Sequence, residues 1–386
     1  MRSVKKFISF APPLIGQDEI NEVVDTLKSG WITTGPKSIK FEKLVAKYCG
    51  AKYALAVNSC TAVLHLALAA LGIKKGDEVI TSPFTFASTA HVILYVGAMP
   101  VFVDIEPDTF NIDPMKIEKV ITNKTKAIIV VHYGGHPCDM DPILRLAKKY
   151  GLYVVEDAAH AIGAKYKDRQ IGSIGDITCF SFYATKNITT AEGGMLVTNN
   201  KKIEEKARIL SMYGISDARR IWGRYSPKGS WYYDIKYLGY KYNMTDIQAS
   251  LGIHQLGKLD FFNKRRSEIA QFYNNSFKRI SYLTIPIPKA YAKHAWHVYP
   301  LLLKKGSDRN EFIEQLRKKN IGSSVLFQPL HLHSFYHRLL GTKFGDFPVA
   351  EDVYRRVVCL PISPSLTKNI VRYIANEVAK AAWFCL

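Results

Sequence analysis

Ala127-Ile128-Ile129-Val130-Val131-His132 is followed, after a helical stretch from Pro142 to Tyr150, by Leu152-Tyr153-Val154-Val155-Glu156-Asp157 and then by Ile177-Thr178-Cys179-Phe180-Ser181-Phe182. These runs are largely apolar rather than alternating, which suits strands covered on both faces, and intervening helices supply parallel crossovers. Glu78-Val79-Ile80 and Pro100-Val101-Phe102-Val103-Asp104 are further β-branched runs. Thr61 to Leu71 carries helix formers with apolar residues three and four apart, and Gly72 stops it. The alternation from Val57 to about Asn199 predicts an α/β fold, with a mostly parallel mixed sheet flanked by helices and ligands at the carboxyl ends of the strands. After Met244 the pattern changes. Thr245 to Asn275 reads as one long or broken helix, and Tyr299 to Leu303 as a strand followed by a helix from Asp308 to Lys319. We therefore expect a large domain over residues 1–254, with an N-terminal segment touching the smaller one, and a small C-terminal α/β domain over residues 255–386.

With 386 residues, 47% of them hydrophobic and 22% charged, the chain can bury one large core and a smaller one. It has no run of eighteen apolar residues, and its start lacks a signal-peptide pattern, so a cytoplasmic protein without membrane insertion is expected. The six cysteines (Cys49, Cys60, Cys138, Cys179, Cys359, Cys385) lack the paired spacings of a zinc site, so reduced thiols and no metal are expected. A net charge of +20 raises the local concentration of anions. The basic residues are dispersed and no aromatic-interleaved basic motif stands out, which favours a phosphorylated small molecule over nucleic acid.

Four segments carry chemistry. In Phe180-Ser181-Phe182-Tyr183-Ala184-Thr185-Lys186, running on to Gly193-Gly194, one lysine follows a strand and precedes a small-residue turn where backbones cross closely. A lysine desolvated there can act as a Schiff-base nucleophile and proton carrier; alone, it reads as a solvated surface residue. Glu156-Asp157 ends an apolar strand, where two acids are costly unless paired. Asp157 can hold a pyridine nitrogen protonated, or it can simply cap a following helix. Val57-Asn58-Ser59-Cys60-Thr61-Ala62 turns from a strand into a helix, whose amides and hydroxyls make either a phosphate cradle or an ordinary cap. In Thr81 to Thr89 an aromatic just past a strand can stack on a flat heteroaromatic ring, or either phenylalanine can be core.

Together with Ser29-Gly30-Trp31-Ile32-Thr33-Thr34-Gly35-Pro36 and the stretch Gly239 to Ala249, these segments resemble the DegT/DnrJ/StrS sugar aminotransferases over nearly the whole chain. The resemblance implies the aspartate-aminotransferase (type I) fold and pyridoxal 5'-phosphate as cofactor. It implies Lys186 as the Schiff-base lysine, Asp157 at the pyridine nitrogen, Phe86 stacked on the ring and His160 near the cofactor hydroxyl. Thr61, Ser181 and the amides from Ser59 through Cys60 to Ala62 would hold the phosphate. A homodimer with shared active sites is implied, with Asn243, or failing it Lys241, reaching the neighbour's phosphate. Family members commonly have Gly where Cys60 stands; a tolerated small substitution is the simpler reading beside a reactive thiol. A dehydrating branch carries His in place of the lysine, so Lys186 argues for transamination.

The expected reaction moves an amino group from glutamate to a nucleotide-linked 4-keto-6-deoxy sugar. The 4-position is favoured by the look of Thr81 to Asp104, and a 3-keto sugar is the alternative. Trp31, Thr34, Tyr183 and His331 are expected on the substrate side. Two other readings compete: a non-catalytic regulator or sensor on the same fold, disfavoured by the intact Lys186 and Asp157, and a nucleotide-sugar-binding protein or dehydrogenase with a Rossmann fingerprint. The latter lacks a strand followed by G-x-G-x-x-G with an acidic residue about twenty positions on.

Overall fold

The computed structural model describes residues 6–216 and 233–384. Its main sheet is built from β1 (Tyr53–Val57), β2 (Glu78–Thr81), β3 (Met99–Phe102), β4 (Thr125–Val131), β5 (Tyr153–Asp157), β6 (Ile177–Ser181) and β7 (Gly194–Thr198) in the order β1-β7-β6-β5-β4-β2-β3. Only β7 runs against its neighbours in this sheet; the other strands are mutually parallel. Every residue of β6 and β7 is buried, which is why these strands are apolar on both faces.

Two helical layers cover the sheet. On one side lie α3 (Cys60–Leu71), buried almost all round, and α6 (Lys201–Ser211). The other side packs α2 (Pro36–Cys49) and α5 (Met140–Tyr150), whose turn at Gly151 takes φ 65° where a side chain would be strained. α4 (Ala87–Tyr95) follows β2, and α1 (Gln17–Ser29) precedes α2. The amides of Gly35, Lys37 and Ser38 at the start of α2 all donate to the carboxylate of Asp246, at 2.8, 2.9 and 2.8 Å. A distant acid thus satisfies amides that a helix of its own cannot.

The helix that sequence reads as long or broken is unbroken: α7 (Asp246–Phe277) runs 32 residues, about 48 Å. Thr245 and Gln248 cap it reciprocally, each accepting the other's amide at 3.2 and 3.0 Å. Its first half (Ala249, Ile253, Leu256, Leu259, Phe262) belongs to the core beneath the main sheet, and its second half (Ile269, Ala270, Tyr273, Phe277) to a second core. Residue 255 falls inside it. Between the halves stands buried Arg266, which donates to the carbonyls of His297, at 3.3 Å, and Ile362. Burial lowers this guanidinium to about 10.

The second core lies under a three-stranded antiparallel sheet of β8 (Leu283–Thr284), β9 (Tyr299–Leu303) and β10 (Val357–Leu360), with α8 (Arg309–Lys318) and α9 (Lys368–Phe384) against it. Ile8 belongs to this core, and its backbone bonds with Asn320 and Gly322 at 2.8 and 2.9 Å. Among the described residues no helix is long and apolar enough to cross a membrane. The five described cysteines are unpaired thiols, and Cys385 lies outside the described residues.

Candidate active site

The parallel strands of the main sheet end on one edge, and the segments singled out in the sequence converge there. After Ser181 the chain leaves β6 through a tight loop in which the amides of Lys186 and Thr190 donate to the carbonyls of Tyr183 and Phe182, both at 2.9 Å. Asn187 anchors this loop from inside, giving its side-chain N–H groups to Asn263 at 2.7 Å and to the carbonyl of Ala295 at 2.8 Å. The close crossing read from Gly193-Gly194 is present. A Cβ on Gly194 would stand 2.6 Å from the Ser59 carbonyl, and one on Gly193 2.1 Å from the Thr190 hydroxyl. Burial lowers the Lys186 amine to about 8, against the opposing pull of Cys60 and Asp157.

Glu156 and Asp157 project to opposite faces of the sheet. Glu156 is wholly buried and accepts from His132 Nε2 at 2.9 Å, the Gly175 amide at 2.8 Å and the Thr178 hydroxyl at 2.7 Å. His132 Nδ1 accepts from the Cys138 amide at 3.0 Å, so the ring proton sits on Nε2 and points at the acid. Burial works against the Glu156 charge, but these donors hold its carboxyl below the ordinary range. Asp157 has fewer partners: Oδ2 accepts from the Thr89 hydroxyl at 2.8 Å and Oδ1 from the Ala159 amide at 3.2 Å. Burial pushes its carboxyl up, and Thr89, the Ala159 amide and Lys186 offset part of that rise. A turn rather than a helix follows, so Asp157 is not a helix cap.

Ser59 caps α3, its hydroxyl accepting from the Ala62 amide at 3.1 Å. The amides of Cys60 and Thr61 have no intrahelical acceptor by helix geometry and lie at the positive end of the dipole, next to the Gly194 crossing. The Cys60 thiol points to the Cys179 carbonyl at 3.8 Å, and burial pushes it well above its ordinary range, so it is not an activated nucleophile. Ser181 is buried, with its hydroxyl accepting from the Tyr183 amide at 3.4 Å. The two phenylalanines after β2 divide: Phe84 is wholly buried beside Phe110 and Tyr133, whereas Phe86 is 63% exposed and free to stack on a ligand.

His160 Nδ1 accepts from the Gly134 amide at 3.3 Å, leaving its proton on Nε2. Its ring lies 4.3 Å from that of His297 and stacks on Phe327 at 5.9 Å. Burial above all holds both imidazoles neutral, helped by the Lys186 charge at His160 and by His160 and then Lys186 at His297, and His297 Nδ1 meets Asn187 Oδ1 at 3.2 Å. Thr89, Asn187 and His297 were not singled out in the sequence. Thr89 carried a faint signal, three residues past Phe86 on the first turn of α4. His297 had none, because it arrives from the start of β9.

Trp31, Thr34, Lys241 and Asn243 form a second group beside the end of β1, where Val57 bridges Asn243. Asn243 donates to the Thr34 hydroxyl at 2.6 Å, Lys241 donates to Asn243, and the Trp31 indole donates to the Thr34 carbonyl at 3.1 Å. Tyr183 is exposed on the Lys186 loop. His331, expected on the substrate side, is instead wholly interior: its Nε2 meets Glu351 at 2.9 Å and its ring packs on Phe347. A substrate would have to displace that pair to touch it.

These groups fit pyridoxal phosphate by their chemistry. An amine of lowered basicity, a buried acid, a helix N-terminus and an exposed aromatic ring are what an aldehyde, a ring nitrogen, a phosphate and a flat ring require. The model of the DegT/DnrJ/EryC1/StrS aminotransferase family matches residues 13–379. The chain is 58% identical over 378 residues to the uncharacterized protein MJ1066 of Methanocaldococcus jannaschii, covering 96% of this chain and 97% of that one. It is 52% identical over 376 residues to the spore coat polysaccharide biosynthesis protein SpsC of Bacillus subtilis (strain 168), covering 96% of each. Spr1654 of Streptococcus pneumoniae, assigned as a sugar aminotransferase and solved in its PLP-form, superposes with a TM-score of 0.91 at 36% identity, over 98% of this chain and 100% of that one.

Proposed function

The chain belongs to the DegT/DnrJ/EryC1/StrS aminotransferase family, and from that premise we propose that it uses pyridoxal phosphate to move an amino group from glutamate to a nucleotide-linked 4-keto-6-deoxy sugar. One observation carries the reading: the Lys186 loop, buried Asp157 and the start of α3 meet at the carboxyl edge of the sheet, where Gly194 crosses so close that a Cβ there would stand 2.6 Å from the Ser59 carbonyl. Similarity to a spore coat polysaccharide biosynthesis protein supports a role in glycan building.

When bound, pyridoxal phosphate supplies an aldehyde that condenses with amines and a protonated ring that accepts carbanion charge. Lys186 is the residue that would hold it covalently, with Ser59, Cys60, Thr61 and Ser181 around its phosphate, Phe86 on its face, Asp157 at its nitrogen and His160 at its hydroxyl. Lys186 Nζ takes a proton from the α-carbon of the amino donor and returns one to the sugar carbon. An amine lowered to about 8 is poised for both directions near neutral pH. Asp157 keeps a fixed negative charge in a buried position, where it acts more strongly than in water. His160, neutral with its proton on Nε2, is a hydrogen-bond donor. Trp31, Thr34 and Tyr183 are proposed to meet the sugar nucleotide, and the net charge of +20 to favour its diphosphate.

The working unit is proposed to be a homodimer in which Asn243, or Lys241, serves the neighbour's phosphate, and the compartment the cytoplasm, in keeping with the unpaired thiols. Borohydride reduction of protein mixed with the cofactor, followed by peptide mass analysis, is expected to mark Lys186. Mass analysis after incubation with glutamate and a panel of keto-sugar nucleotides then identifies the substrate. A 3-amino product replaces the 4-keto assignment, and absence of any adduct on Lys186 overturns the function.

A further inference from the structure

We infer that Thr89, backed by Thr85, is the positioning residue that keeps Asp157 ionised and aimed at the cofactor ring nitrogen; this rests on the reading of the site as a pyridoxal-phosphate centre. Both hydroxyls are buried, at 0% and 2% exposure, where each costs free energy unless it is satisfied. Thr85 Oγ1 lies 2.8 Å from Thr89 Oγ1, which lies 2.8 Å from Asp157 Oδ2. An ionised carboxylate only accepts, so the Thr89 proton points at Asp157 and the Thr85 proton points at Thr89. The relay has one direction, set by the charge at its end.

The other groups facing Asp157 cannot do this work. His132 has its Nε2 proton committed to Glu156, and the Cys60 and Cys179 thiols are pushed up by burial and stay neutral. Lys186 lowers the Asp157 carboxyl, but its amine is the group the reaction uses. What remains constant through turnover is the Thr89 hydroxyl on Oδ2 and the Ala159 amide on Oδ1. With one donor on each oxygen the carboxylate plane cannot rotate freely, and each oxygen keeps a second acceptor position open. Thr89 sits one helical turn beyond Phe86 on α4, so the element that presents the stacking ring also orients the acid.

The test uses the full-length protein loaded with pyridoxal phosphate labelled with 15N in the ring. In Thr89→Val the ring-nitrogen resonance is expected to move from the protonated toward the unprotonated position at fixed neutral pH. The turnover number should fall about tenfold or more, the worth of one hydrogen bond to a charged group, while KM for glutamate stays within about threefold. Thr89→Ser should restore both. If Thr89→Val does not fold, Thr85→Val, which leaves the bond to Asp157 in place, is expected to show a smaller displacement in the same direction. An unshifted resonance in a valine variant that still forms the borohydride adduct overturns the inference, as does a serine variant that behaves like valine. A wild-type protein with no adduct overturns the proposed function, and this inference with it.

Discussion

Replacing Glu156 and Asp157 one at a time, each by its isosteric amide, should separate stability from catalysis at adjacent positions. In Glu156→Gln the amide oxygen can still accept from the Gly175 amide and the Thr178 hydroxyl, but the amide nitrogen then faces the His132 Nε2 proton at the 2.9 Å contact. A charge-assisted bond is lost and two buried donors oppose each other, costing about 3–5 kcal/mol. For a chain of 386 residues that lowers Tm by about 5 °C. The folded-state carboxyl of Glu156 is depressed, so its stabilisation is present above the unfolded pKa and is lost as pH falls. The deficit of Glu156→Gln should therefore be largest near neutrality and shrink in acid. Asp157 has the opposite sign. Its folded carboxyl is raised, so its favourable contribution exists below the unfolded pKa and is lost as pH rises through the folded value. Asp157→Asn keeps an acceptor for the Ala159 amide, and the Thr89 hydroxyl can turn to accept from the new amide. Tm should hold or rise at neutral pH, while the turnover number falls about 10²–10³-fold for want of the charge. The assays are thermal melts from pH 4 to 8 on cofactor-free protein and steady-state turnover on loaded protein. Unchanged turnover in Asp157→Asn, or an unaltered melt in Glu156→Gln, refutes the division of labour.

Lys186→Met should abolish borohydride labelling while leaving Tm equal or higher, because the desolvation that lowers this half-buried lysine to about 8 costs stability below that pH. In the wild type the rate of covalent capture of the aldehyde should rise with pH to a midpoint near about 8, and a midpoint near the ordinary lysine value would show that the amine is not desolvated. Gly194→Ala places a Cβ 2.6 Å from the Ser59 carbonyl and 2.7 Å from Val63 Cγ2, so the start of α3 must move. A loss of about 1–3 kcal/mol in stability and of at least about tenfold in cofactor affinity is expected from melts and fluorescence titration. Native affinity would show that the helix start does not hold the phosphate.

The sheet was legible because its strands are buried on both faces, and a continuous apolar run such as Ile128 to Val131 has few other uses. Gly193-Gly194 could be read as a close crossing because a side chain has nowhere to go there. Asp157 was ambiguous for a physical reason: an acid at a strand end makes the same short-range bond to a backbone amide whether it caps a helix or serves a ligand, and only the turn that follows it in the fold separates the two. Thr89 resembles any hydroxyl on a helical first turn, and His297 reaches His160 from the start of β9, so spacing cannot find either. His331, expected on the substrate side, is interior, and spacing could not show it because the acid that meets it, Glu351, lies twenty residues on.

The helix shared by both cores has a consequence for how the molecule comes apart. Because α7 forms a wall of each core and Arg266 ties its midpoint to the chain before β9 and after β10, neither lobe owns a complete interior. Cutting the chain near residue 255 would sever a continuous rod and strand apolar surface on both fragments, so each lobe depends on the other to complete its folding.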